Sequence, residues 1–464
     1  MIDFKNIEGV YFVGIGGIGM SALALYFVKG GYTVAGYDRT ESSITRSLAA
    51  MGCYISYQDN ITTIPPFFRH CPDKNKVLTI FTPAIPLSNG ILSYFRDNGF
   101  HLAKRAEILG EISLHTDTLA VAGTHGKTTV STMIAHLLKQ SAVDCSAFLG
   151  GISKNYDSNL LLGDSRYTVI EADEFDRSFH WLNPLMAVVT SLDADHLDIY
   201  GSRGTMIEAY NIFCSKIRRG GTLVVNSSIR KDIVVPEGVT CYTYGADPGS
   251  DFHAFNIEHH TDYYSFSIKT PDITIRELHF TYPGIINIEN ITAASAIALL
   301  CGVTEQELRK GIVLFQGVRR RFDIRFNIPG LAYIDDYAHH PEEINACIKS
   351  VREFFRGRKI TGIFQPHLFS RTRDHADGFA SILDELDEVI LLPVYPAREL
   401  PIEGVSSELI FNKMNCKNKR LLAKTDIPDK LDIRNLDVLV TIGAGDIDTL
   451  VGPIEEKLKK ERSV

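Results

Sequence analysis

The chain has 464 residues, 45% of them hydrophobic and 22% charged, with a formal net charge of −8. This is the composition of a globular protein long enough for about three domains, and its negative balance offers no bulk attraction to nucleic acid or to an anionic membrane surface. The eight cysteines form no C-x-x-C pair and follow no metal spacing, and no long apolar run occurs, so a reducing, cytoplasmic setting without membrane insertion is expected.

Strand-like apolar runs alternate with amphipathic helical stretches nearly throughout, which predicts an α/β fold of three domains, each built on a mainly parallel sheet. The expected domains are 1–105, Rossmann-like; 106–315, a central P-loop domain; and 316–464, again Rossmann-like. The first strand, residues 9–13, runs into Gly14-Ile15-Gly16-Gly17-Ile18-Gly19 and a helix over 20–28, and Asp38 closes the next strand. Glycines in that place let backbone N–H groups approach a diphosphate at a helix N-terminus, with Asp38 positioned for a ribose hydroxyl. The pattern serves NAD and a UDP-sugar equally.

In the second segment the apolar run 118–122 leads into Gly123-Thr124-His125-Gly126-Lys127-Thr128-Thr129 and a helix over 130–140. Strand, glycine-rich turn and helix N-terminus, with a lysine in the turn, is how a chain holds ATP or GTP: backbone N–H groups and Lys127 take the phosphates, and the Thr128 hydroxyl can hold Mg²⁺. The full G-x-x-x-x-G-K-[ST] pattern is not met, since Val121 stands where its first glycine would be. Strand 167–170 ends in Glu171-Ala172-Asp173-Glu174-Phe175-Asp176, and strand 187–190 is followed by Asp193-Ala194-Asp195-His196-Leu197-Asp198. Acids at strand ends beside a phosphate loop suit a magnesium site, with His196 a ligand to a second metal or a hydrogen-bond donor; a solvated acidic loop is the plain alternative. Four carboxylates in six residues would repel one another unless cations lie among them. From 222 to 282 the chain is rich in Thr, Tyr, His and Ile at strand spacing, which predicts an antiparallel edge or an appended sheet.

Arg319-Arg320-Arg321-Phe322 stands at the junction to the third segment, where one arginine can reach a phosphate. Beyond it four apolar strands, 331–334, 360–364, 389–392 and 438–442, each end in a polar cluster: Asp335 to His340, Gln365-Pro366-His367, residues 393–399, and Gly443-Ala444-Gly445-Asp446. In open α/β sheets ligands bind outside the carboxyl ends of the strands, so these clusters are expected to line one crevice. His339, His367, Arg371 and Arg373 suit a small carboxylate-bearing substrate, arginine being able to clamp it with two parallel N–H bonds.

Together these motifs resemble the Mur ligase family over nearly the whole chain and in the family's order. The resemblance is carried by Gly14 to Gly19 with Met20-Ser21, the phosphate loop, Glu171-Ala172-Asp173-Glu174, Asp195-His196-Leu197-Asp198, Asn287, Asn290 and Gly317-Val318-Arg319-Arg320-Arg321-Phe322. It continues through Asp335-Asp336-Tyr337-Ala338-His339-His340-Pro341, Phe364-Gln365-Pro366-His367, Ser370-Arg371-Thr372 and Gly443-Ala444-Gly445-Asp446. It implies an ATP-dependent ligase of peptidoglycan precursor synthesis, in which the lactyl carboxylate of UDP-N-acetylmuramate attacks the γ-phosphorus of ATP and the amine of L-alanine displaces phosphate from the acyl phosphate. The implied cofactors are ATP and Mg²⁺ at two sites, with Mn²⁺ able to substitute. The implied partners are small molecules only, and the implied state is a cytoplasmic monomer or weak dimer.

Residue by residue, the resemblance gives Gly14, Gly16, Gly17, Gly19, Met20, Ser21, Asp38 and Arg105 to the UDP-bearing substrate. It gives Gly123 to Thr129, Asn287, Asn290 and Arg320 to ATP, and Thr128, Glu171 and His196 to the metals. Tyr337, His339, His367 and Arg371 go to alanine, and Lys127, Glu171, His196, Arg320, His339, His367 and Arg371 carry the chemistry. Ile286 replaces a histidine usual in the family, Leu368 an arginine of some relatives, and Asn211 the modified lysine of ligases that add later amino acids, which favours the alanine-adding branch. The alternatives are a recycling ligase that attaches a ready-made peptide, an NAD-dependent oxidoreductase built on the first glycine turn, and a nucleotide-binding regulator without turnover.

Overall fold

The computed structural model describes residues 4–193, 200–260, 263–397 and 399–461. Three sheets carry the fold. The first is wholly parallel, with strands β1 (Gly9–Val13), β2 (Thr33–Tyr37), β3 (Tyr54–Ser56), β4 (Val77–Phe81) and β5 (His101–Lys104) in the order β3-β2-β1-β4-β5. Both faces of β1 are covered, as a parallel interior strand requires. Because side chains alternate across a strand, Val10 and Phe12 enter one hydrophobic cluster and Tyr11 and Val13 another.

The second sheet has ten strands: β6 (Asp117–Ala122), β7 (Ser146–Ser153), β8 (Ser158–Leu161), β9 (Tyr167–Glu171), β10 (Met186–Val189), β11 (Thr222–Asn226), β12 (Thr240–Gly245), β13 (Phe252–His259), β14 (Tyr264–Lys269) and β15 (Thr274–Phe280). Their order is β15-β14-β13-β12-β11-β10-β6-β9-β7-β8. The expectation of an antiparallel or appended sheet from residue 222 onward is corrected in part. Strands β11 and β12 continue the parallel sheet, and antiparallel pairing begins only where β14 meets β13 and β15. Burial explains the difference: Leu223, Val224 and Val225 are covered on both faces, whereas β15 alternates buried with exposed residues and so faces water on one side.

The third sheet is β16 (Asp323–Ile328), β17 (Leu331–Asp336), β18 (Ile360–Phe364), β19 (Glu388–Leu391), β20 (Lys419–Leu421) and β21 (Val438–Ile442), in the order β16-β17-β21-β18-β19-β20. Only the edge strand β16 is antiparallel to its neighbour. The last strand of the chain is inserted at the centre, which aligns the carboxyl ends of β17, β21, β18 and β19. Val438, Val440 and Ile442 pack on one side of the sheet and Leu439 on the other.

The chain divides into two compact units, one of residues 1–259, 264–280 and 289–316 and one of 260–263, 281–288 and 317–464. The first two sheets therefore share a unit. The helix Ile18–Lys29 joins them: Met20, Leu23 and Phe27 enter a cluster that also holds Ala120, Ala122 and Phe148, and the Tyr26 and Phe148 rings lie 5.4 Å apart. Asn159, 5% exposed, donates its amide to the Ile18 carbonyl at 2.6 Å and to Ser21 Oγ at 2.9 Å. Among the described residues no helix is long and apolar enough to cross a membrane.

Candidate functional site

In the first unit two glycine turns lie at the carboxyl ends of the central strands of their sheets. After β1, Gly14 takes φ +91°, a conformation glycine adopts without strain, and the turn ends with Gly17 as N-cap of Ile18–Lys29. Asp38 folds back on this turn: Oδ2 accepts the Gly16 N–H at 2.7 Å and Oδ1 that of Thr40 at 3.1 Å. Its carboxylate thus shapes the glycine turn as well as standing where a ribose was expected. Met20 and Ser21 are each 2% exposed and belong to the packing beneath the turn. Arg105 lies directly against Gly19, where a Cβ would come within 2.0 Å of its guanidinium.

After β6 the phosphate loop holds Gly123 at φ +136° and Gly126 at +81°. A Cβ on Gly123 would lie 1.9 Å from Thr190 Oγ1, so that position needs glycine for space as well as for backbone, while one on Gly126 would come 3.0 Å from Asn290 Oδ1, a tight contact. Gly126 is the N-cap of the helix Lys127–Lys139, which puts Lys127, Thr128 and Thr129 in its first turn, where helix N–H groups are unsatisfied. Thr124 is fixed by the Ser191 hydroxyl at 2.9 Å, the His125 N–H donates to the same hydroxyl at 2.8 Å, and the His125 ring stands 3.6 Å from Asp193.

The acids after β9 each find a partner. Thr128 Oγ1 donates to Glu171 at 3.0 Å, and the Gly150 N–H donates to its other oxygen at 3.0 Å. Arg105 pairs with Asp173 at 3.0 Å, Lys127 with Glu174 at 2.8 Å, and Lys104 with Asp176 at 2.8 Å. The repulsion expected of four clustered carboxylates is thereby relieved, three of them by lysine or arginine. Glu171 is held by neutral donors, which leaves its negative charge beside the Thr128 hydroxyl. That combination of hard oxygens fits a magnesium ion that completes its shell with phosphate and water. Among the described residues no three His, Cys, Asp or Glu side chains gather as a metal cluster. The expected ligand His196 lies outside the described residues.

The Lys127 ammonium also donates to the carbonyls of Gly123 at 2.6 Å and Thr124 at 3.2 Å. Burial works to neutralise it, but the Glu174 carboxylate prevails and holds its pKa above the usual lysine value. Burial pushes the Glu174 carboxyl up to about 7, with Lys127 opposing.

In the second unit, the ends of β17, β18, β19 and β21 bring their clusters together as expected. The rings of His339 and His367 are 5.8 Å apart, Tyr337 lies 5.3 Å from His339, and Tyr395 stacks on His367 at 5.8 Å. Burial holds His339 below its usual pKa, Glu343 opposing and Arg371 assisting, which favours the neutral ring. Glu343, at the third position of the helix Pro341–Phe354, accepts the backbone N–H groups of His339 and His340 at 3.0 and 3.3 Å and fixes this corner. Gln365 donates to Asp446 at 2.7 Å and accepts the Ile447 N–H at 2.8 Å, tying β18 to the turn after β21.

Arg320 is committed within this unit to Asp335 at 3.3 Å, to the Gly443 carbonyl and to Asp448 at 3.9 Å. Asn287 turns its amide to the Pro283 carbonyl at 2.5 Å. Sequence reasoning left out Asp173, Glu174, Ser191, Glu343 and Gln365 as site-shaping residues. Asp173 and Glu174 stand inside a quoted motif, but spacing could not tell which acid meets which cation.

Comparison with known proteins agrees along the whole length. Residues 9–116 match the model described as Mur ligase family, catalytic domain, residues 121–298 the Mur ligase middle domain, and residues 320–447 the Mur ligase, glutamate ligase domain. The chain is 50% identical over 461 residues to UDP-N-acetylmuramate--L-alanine ligase of Parabacteroides distasonis, covering 99% of each chain. It is 47% identical to the ligase of the same name from Phocaeicola vulgatus, covering 99% of this chain and 100% of the relative. The crystal structure of UDP-N-acetylmuramate-alanine ligase MurC from Thermotoga maritima superposes with a TM-score of 0.83 at 25% identity, covering 98% of this chain and 99% of the other. Glycine turns at two parallel-sheet switch points, a lysine-bearing phosphate loop and this full-length match lead to one assignment: the chain belongs to the Mur ligase family.

Proposed function

We propose that this chain joins L-alanine to the lactyl carboxylate of UDP-N-acetylmuramate, converting ATP to ADP and phosphate through an acyl-phosphate intermediate. The observation that supports this reading most is the 50% identity over 99% of both chains to a ligase named for that reaction. In it, residues 1–105 serve the UDP-bearing substrate, 106–315 ATP, and 316–464 the amino acid. The N-terminal turn of Ile18–Lys29 and Arg105 take the diphosphate. The phosphate loop and Lys127 hold the triphosphate and stabilise charge that develops as the γ-phosphoryl group transfers.

Thr128 and Glu171 would hold Mg²⁺, which would supply Lewis-acid neutralisation of phosphate charge. The neutral ring of His339 accepts a hydrogen bond from the alanine nitrogen. His367 and Tyr337 border the same place, and Arg371 takes the amino-acid carboxylate. The reading includes no nucleic-acid partner, no membrane insertion and a cytoplasmic monomer or weak dimer. The test is ADP release measured with UDP-N-acetylmuramate against a panel of amino acids and a ready-made murein peptide. ADP appearing with L-alanine and needing both substrates is expected. Turnover with the peptide but not with alanine, or tight NAD binding with indifference to UDP, overturns it.

A further inference from the structure

The turn after β9 presents two adjacent carboxylates to two different cations. Asp173 meets Arg105 at 3.0 Å, and Arg105 in turn lies against Gly19 in the first turn of Ile18–Lys29. Glu174 meets Lys127 of the phosphate loop at 2.8 Å. One peptide link therefore separates the carboxylates that hold a cation at each of the two glycine turns.

That link is firmly set. Asp173 Oδ1 accepts the Phe175 N–H at 3.0 Å, the Asp173 carbonyl accepts that of Phe179 at 2.9 Å, and Tyr200 donates its hydroxyl to the Glu174 carbonyl at 2.6 Å. Asp176 and Arg177 both take positive φ, 53° and 54°, a conformation non-glycine residues hold only where the surroundings enforce it. Lys104, next to Arg105, pairs with Asp176 and closes the turn from the other side.

We propose that Asp173 and Glu174 are a pair of positioning residues, Asp173 setting Arg105 over the first glycine turn and Glu174 setting Lys127 in the phosphate loop, so that one rigid turn places the cations for both anionic substrates. The proposal rests on the reading that the first turn takes the diphosphate of UDP-N-acetylmuramate and the loop takes ATP. Removing one carboxylate charge lets its own cation wander while the other stays put. The two variants should therefore fail on different substrates, which a general loss of structure would not produce.

The test is steady-state kinetics of the full chain with Asp173→Asn, Asp173→Glu and Glu174→Gln, with KM and kcat measured for each substrate. Asp173→Asn is expected to raise KM for UDP-N-acetylmuramate roughly tenfold, the scale of one partly exposed charge-assisted hydrogen bond, with KM for ATP within twofold. Asp173→Glu should recover part of that loss. Glu174→Gln is expected to move KM for ATP or kcat by roughly tenfold while KM for UDP-N-acetylmuramate holds. An unchanged KM for the UDP-sugar in Asp173→Asn, or equal rises for both substrates in both variants, overturns the pairing while leaving the ligase reading in place. Calorimetry of the wild-type chain separates the other failure, since absence of UDP-N-acetylmuramate binding overturns both.

Discussion

Lys127 in the first unit and Arg320 in the second each face a carboxylate that is 1% exposed, Glu174 and Asp335. The two cations differ in shape. Lys127 places one ammonium, on a flexible stem, among acceptors of its own loop and the adjacent turn. Arg320 spreads a planar fork over Asp335 of β17 and the Gly443 carbonyl beyond β21, fastening two strand ends. A point charge can follow a phosphoryl group as it transfers; a fork fixes geometry and gives it up reluctantly. The same class of buried pair thus seats a single-point cation in one unit and fastens two strand ends in the other.

Alanine at each position breaks the comparison cleanly. Lys127→Ala is expected to lower kcat by about 10² to 10³, the usual loss on removing one preorganised donor aimed at developing charge. Its fold should survive, because a Glu174 carboxyl already pushed up to about 7 can take a proton once its partner is gone. ADP release and a thermal scan check both halves, and activity within threefold of wild type contradicts the assignment. Arg320→Ala is expected to destabilise the second unit by about 2–3 kcal/mol, since Asp335 is left buried and three groups lose a common partner. Denaturant unfolding reads it; a midpoint equal to wild type would mean that the fork fastens nothing.

The smaller effect concerns pH and separates buried bases from buried acids. Burial holds His136 at about 4 in the folded chain against 6.5 for the free side chain, the Gly311 carbonyl opposing. The unfolded state then binds the proton more readily, so this stability is complete above pH 6.5 and is lost as the pH falls toward 4. Asp336 in the second unit, raised by burial to about 6 from 3.8, has the opposite sign: its contribution declines as the pH rises through that window and is level above it. His136→Gln, which keeps an amide to reach the Gly311 carbonyl, should lose about 2 kcal/mol less stability than wild type between pH 7 and pH 5. Unfolding curves at both pH values that shift in parallel for wild type and variant would remove His136 from the acid response.

Much of the candidate site is legible because it is local. Gly123 to Thr129 between an apolar run and a helix announces a turn that exposes N–H groups, and the structure places Lys127 and Thr128 in the first helical turn. The four strand-end clusters of the third sheet follow from the same rule, that loops after parallel strands share one edge. Asp38 is read from a fingerprint as a ribose ligand, and its further part, accepting the Gly16 and Thr40 N–H groups that shape the turn, is visible only in the structure. The strands at 222–245 looked like the antiparallel edge that follows them, since Thr and Tyr suit either setting and the burial of Leu223 to Val225 on both faces is not visible in composition.

What the sequence determined by itself is therefore the order of elements, the two glycine turns and the presence of acids and cations beside them, all set by neighbours a few residues apart. What only the tertiary structure decided is pairing. Thr128 and Glu171 are 43 residues apart, Lys127 and Glu174 47, Arg105 and Asp173 68, and Lys104 and Asp176 72. Four acids within six residues are chemically near-equivalent on paper, and only the crossing of β5, β6 and β9 into one unit gives each a different partner. The physical reason is that a carboxylate's role depends on what lies within about 3–4 Å of it, and chain separations of that length carry no information about distance.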